Sequence, residues 1–108
     1  GGDVHAHHVA DLKLDWNDPR APIIASEFCG TSISSHGREQ RLLDAARAHN
    51  PHMHLARSDQ RGYMAFQLDS RRLDAQVLAV DQPDDPQSPV HVSARFVVDP
   101  RRPGPQAA

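Results

Sequence analysis

The sequence predicts an α+β fold made mostly of antiparallel strands, with one helix and a three-stranded meander near its C-terminal end. Three observations carry that expectation. Short runs alternating apolar and polar residues recur along the chain, as half-buried strands require. One stretch alone, Gly37 to Asn50, places apolar residues at helical spacing. Prolines and small polar residues punctuate the chain between these runs, which favours turns and exposed connections.

Composition sets the outer limits. A length of 108 residues fits one domain, and 38% apolar content supports a modest core. A net charge of -2 and the lack of a basic, aromatic-interleaved patch give no support to nucleic-acid binding. No apolar run approaches membrane-spanning length, and no signal peptide is visible. The lone Cys29 excludes an internal disulfide. The chain has no initiator Met and opens at what reads as the end of a strand. The expectation is therefore a single partial domain, residues 1–108, from a longer protein.

Taken in order, Ala10 to Trp16 alternates for seven residues and reads as a strand with Leu12, Leu14 and Trp16 inward. Asn17 to Pro22 is a turn, because Asn and Asp favour it and Pro19 and Pro22 interrupt ladder pairing. Ile23 to Phe28 is apolar and β-branched enough for a second strand, antiparallel to the first. Glu27 inside it needs a partner or an edge position. Cys29 to Ser35 is dense in small hydroxyl residues. No nucleophile-elbow or triad pattern accompanies them, so close backbone approach is the better reading.

In the predicted helix, Leu42, Leu43, Ala45, Ala46 and His49 form the apolar stripe, with Ser35 or Gly37 as a cap. Asn50-Pro51 ends it. His52-Met53-His54-Leu55 alternates, so both histidines can share one face of a short strand, but no Cys or carboxylate stands at zinc-site spacing to favour a metal there. After the turn at Asp59 to Gly62, three alternating runs give the meander: Tyr63–Leu68, Leu73–Ala79 and Val90–Val98. Five or six strands are expected in all. The tail from Pro100 is Pro-, Gly- and Arg-rich and reads as frayed.

The chemistry concentrates at the start, in Gly1-Gly2-Asp3-Val4-His5-Ala6-His7-His8. In an extended segment Asp3 and His5 point to the same face. A carboxylate and an imidazole there can share a cation, or divide into metal ligand and phosphate contact. They can equally be two solvated side chains. His7 and His8 raise the local donor count and are the secondary candidates.

Several segments together resemble a known family. Gly2-Asp3-Val4-His5, Glu27-Phe28-Cys29-Gly30-Thr31-Ser32-Ile33-Ser34-Ser35, Asn50-Pro51-His52, Arg61-Gly62-Tyr63 and Ala94-Arg95-Phe96-Val97-Val98 are similar, in order and near-spacing, to the C-terminal end of PhoD-like alkaline phosphatases. The resemblance spans essentially the whole chain. It implies the C-terminal fragment of a two-layer α/β metallophosphoesterase that hydrolyses phosphate mono- or diesters at a cluster of iron and calcium ions, usually outside the cytoplasm (periplasmic or secreted). On that resemblance Asp3 and His5 match the family's last metal-site segment. No complete catalytic set lies in this chain, and the missing N-terminal part of the same protein is its implied partner. His7, His8 and Cys29 depart from the residues usual in the family. Two rival readings stand beside it: an independent His-rich module that captures a transition metal, and a structural β-rich domain covering a larger catalytic core.

Overall fold

The computed structural model describes residues 3–108. Among the described residues the chain forms seven strands and one helix: β1 (His7–Lys13), β2 (Ile23–Cys29), α1 (Gln40–Ala48), β3 (Met53–Arg57), β4 (Arg61–Leu68), β5 (Leu73–Val80), β6 (Val90–Asp99) and β7 (Arg102–Ala107). The strands form two sheets, β2-β1-β3 and β4-β5-β6-β7, and all pairings are antiparallel. The expected meander is present as β4-β5-β6.

The two sheets meet across a small core. Val9 of β1, Ala75 and Val77 of β5 and Phe96 of β6 are buried together, and Phe28, Leu55, Met64 and Ala94 pack against them. Val9 and Val77 are fully enclosed. Burying one such side chain stabilises by roughly 1.5–3 kcal/mol, so a handful carries much of the apolar contribution. Phe28 meets Phe66 and Phe96 edge-on, with ring centroids 5.4 and 6.4 Å apart.

Four expectations require correction. The first strand lies at His7–Lys13 rather than Ala10–Trp16, so Leu14 and Trp16 fall beyond it and are 67% and 54% exposed. Alternation continues past Lys13, but the chain leaves the sheet for the turn that returns it to β2. The helix is shorter than Gly37–Asn50. Its N-cap is Glu39, which makes no side-chain capping bond, and none of its residues is buried. The tail does not fray, because β7 extends the meander through pairs such as Phe96 with Ala107 and Val97 with Gln106. With it the strand total passes the expected six.

Glu27 finds the edge position its charge requires. It is exposed on β2, the outer strand of its sheet. The helix ends as Asn50 predicts, with Asn50 Nδ2 donating to the Ala46 carbonyl at 2.7 Å.

Candidate functional site

From Asp3 onward the chain leads into β1 through a bend instead of an extended segment. Asp3 and His5 both hold left-handed backbone, with φ of 69° and 54°. Asp and His adopt that region more readily than most side chains, yet two such residues in three mark a constrained turn. The turn removes the geometry on which a shared face for Asp3 and His5 was expected.

Each donor therefore meets its own surroundings. The carboxylate-bearing Asp3 is exposed and lines a cleft of about 380 Å³ together with His8, Arg38 and the apolar side chains of Val4, Leu42 and Ala46. His5 is held by a different neighbour. Its Nδ1 lies 2.8 Å from the His36 carbonyl oxygen, which can only accept, so Nδ1 carries a proton and in the neutral ring Nε2 keeps its lone pair.

His7 and His8 point to opposite faces of β1, as alternation dictates. His7 is fully buried. Its Nδ1 accepts the Thr31 backbone N–H at 3.2 Å, so in the neutral ring the proton sits on Nε2. That Nε2 has no partner of ordinary hydrogen-bond geometry. Burial holds the His7 pKa below its usual value, the Leu78 carbonyl opposes the shift, and the positive Arg61 and Arg57 reinforce it. His8 is half-buried, and burial lowers its pKa against the pull of Glu27. The ring of His7 is thus part of the core, while His8 borders the Asp3 cleft.

The small-residue loop after β2 wraps this end of the sheet. Thr31 Oγ1 donates to the Gln60 carbonyl at 3.3 Å, Ser32 Oγ donates to the Ser35 carbonyl, and Gly62 N donates to the Ser32 carbonyl at 3.2 Å. Arg61, read from sequence as part of a turn and of the Arg61-Gly62-Tyr63 segment but given no role, binds this loop. Its Nη1 donates to Ser32 Oγ at 2.6 Å and to the Ser35 carbonyl. The usable signal was a charged residue opening an otherwise apolar strand. Gln40 of α1 ties the helix to the edge of β3 by donating to the Ala56 carbonyl at 3.0 Å and accepting the Ser58 N–H at 2.9 Å.

The second histidine pair does not lie on one regular strand as expected. His52 lies outside β3, its ring 4.6 Å from that of Trp16. His54 Nε2 pairs with Asp11 Oδ1 at 2.9 Å. The register shift between Val9 and Ala10 lies opposite His54 and separates it from the regular alternation. Among the described residues, no group of three or more His, Cys, Asp and Glu side chains is arranged to hold a metal.

Asp3 and His5 offer donors of the right kind even so. A hard carboxylate oxygen suits calcium or iron, and an imidazole nitrogen suits iron. A ring fixed through Nδ1–H to a carbonyl is how proteins usually orient a metal-binding histidine. Both residues sit in the stretch preceding β1, two positions apart.

Comparison with known proteins places this geometry in a wider setting. The family model described as PhoD-like phosphatase matches residues 1–77. The chain is 30% identical over 99 residues to alkaline phosphatase D of Bacillus subtilis (strain 168), an alignment covering 89% of this chain and 17% of that protein. A solved structure titled "Structure of PhoD" matches with a TM-score of 0.81 and 24% identity, over 99% of this chain and 21% of that one. The chain thus spans about a fifth of the length of the relatives it matches.

Proposed function

The chain belongs to the PhoD-like phosphatase family, and on that premise we propose that it supplies one corner of the active site of a metal-dependent phosphoesterase whose remaining residues lie elsewhere in a longer protein. The substrate class is a phosphate mono- or diester. An extracytoplasmic location goes with this reading by family resemblance. No helix among the described residues is long and apolar enough to cross a membrane.

The observation that carries the proposal is the constrained turn before β1. Asp3 and His5 hold left-handed backbone, and the His5 ring is fixed through Nδ1 at 2.8 Å from the His36 carbonyl. Asp3 presents a carboxylate oxygen to a calcium or iron ion. His5 presents the Nε2 lone pair to iron, or, with the ring protonated, donates from Nε2 to a phosphate oxygen. When bound, such cations position the ester, neutralise its oxygens and lower the pKa of a coordinated water. Two donors from one turn are fewer than a multinuclear centre needs, so further carboxylates and nitrogens must come from other segments.

Asp3→Ala and His5→Ala in the full-length protein test the assignment. Each is expected to lower kcat/KM by on the order of 100-fold or more, since losses of roughly 10–100-fold already follow from residues that merely orient a ligand. Metal content by elemental analysis should fall in parallel for Asp3→Ala. Wild-type metal content and turnover in both variants would remove Asp3 and His5 from the site.

A further inference from the structure

Arg61 is 7% exposed, yet it forms no ion pair with a carboxylate among the described residues. The carboxylate of Asp59 is taken by Arg57, whose Nε and Nη2 lie 2.8 and 2.9 Å from its two oxygens. The Arg61 guanidinium instead donates to four neutral acceptors. Nη1 reaches Ser32 Oγ at 2.6 Å and the Ser35 carbonyl, while Nη2 reaches the His5 carbonyl at 3.2 Å and the Ser58 carbonyl at 2.7 Å. These acceptors come from the turn before β1, the loop after β2 and the turn between β3 and β4. A buried cation is costly unless its donors are met, and here Nη1 and Nη2 are met where three segments join.

Two of those segments converge on His5. Arg61 holds the His5 carbonyl directly. It also grips the 32–35 stretch, next to the His36 carbonyl that takes the His5 Nδ1–H at 2.8 Å. Gly37 closes the arrangement. A Cβ there would overlap the His5 carbonyl and press to 3.2 Å from both Arg61 Nη2 and Ser58 Cβ.

We propose that Arg61 is the positioning residue for His5, fixing its backbone and ring so that the Nε2 lone pair is presented to the metal. This rests on the assignment of His5 to that site. A planar fork with several donors can join three segments at once, whereas the compact ammonium of lysine cannot. Arg61→Lys keeps the charge and loses the fork. Gly37→Ala keeps the fork and displaces what it holds.

The test uses both variants in the full-length protein with ¹⁵N-labelled histidine. In the wild type the His5 ring should show protonated Nδ1 and unprotonated Nε2. In each folded variant that signature should give way to averaged tautomers, with kcat down by roughly 10–100-fold and KM changed far less. Retention of the wild-type His5 signature in a folded Arg61→Lys protein overturns the proposal. So does failure of both variants to fold, which assigns Arg61 to the scaffold alone. His5→Ala separates the premise from the inference: wild-type turnover there removes His5 from the chemistry, whereas the ring signature reports on Arg61 regardless.

Discussion

At the scale of single residues, the histidines of the opening motif divide by backbone geometry rather than by proximity in sequence. His5 is tethered to a carbonyl, His7 is enclosed by the core and His8 borders the Asp3 cleft. His8→Ala should therefore cost far less kcat/KM than Asp3→Ala in the full-length protein. Equal losses would show that His8, which shares the cleft with Asp3, is the working imidazole. His7 makes a separate prediction about stability. Its pKa is lowered in the folded state from an ordinary value of 6.5, chiefly by burial. Below pH 6.5 the unfolded chain therefore binds more protons than the folded one, and stability present above that pH is lost as the pH falls toward the folded pKa. The burial shift at His8 has the same sign. The urea midpoint should drop between pH 7.5 and 5.5, two values chosen at roughly one unit either side of the imidazole range. His7→Gln, which retains an acceptor for the Thr31 N–H, should flatten that dependence, and an unchanged slope would sink the assignment.

At the scale of elements, the site is held by strand ends and loops, and the helix contributes little burial. The alternation that gave β4, β5 and β6 was readable because a period of two survives whatever lies opposite. The start of β4 depends on more. Gly62 has φ of 158°, and a Cβ there would overlap the Leu78 carbonyl of the paired strand. Gly62 N also donates to the Ser32 carbonyl, so this position joins the second sheet to the loop around His5. Gly62→Ala should destabilise the protein by about 1–3 kcal/mol, the usual cost of forcing atoms into a packed region. Chemical denaturation checks the magnitude. A wild-type midpoint would mean that β4 moves away from β5 freely. The pairing of β7 with β6 could not be read in advance, since a Pro- and Gly-rich tail looks the same in sequence whether an open strand edge awaits it or not.

At the scale of the whole molecule, the core is small and much apolar surface stays outward. Trp16, Ile24, Ile33, Leu42, Phe66 and Leu68 are all exposed. Asp3 and His5 are the donors assigned to the proposed site. The purified 108-residue chain, supplied with iron and calcium, should accordingly leave a chromogenic phosphodiester intact. Any metal binding should be weak and should fade on acidification, because protonated histidine cannot ligate. Sustained turnover that disappears on Asp3→Ala would show that a complete site lies within these residues.

The sequence by itself determined the antiparallel character, the meander, the helix location and the resemblance that the family match later supported. All of these follow from local periodicity, turn chemistry or ordered motifs, which are present in the chain before it folds. Only the tertiary structure decided that β1 begins at His7, that Leu14 and Trp16 face outward, that the tail pairs with β6, and that Arg61 lies beneath His5. Each of these depends on partners distant along the chain. A strand ends where its neighbours end, and an arginine becomes a buried junction only when three remote segments turn their oxygens toward it.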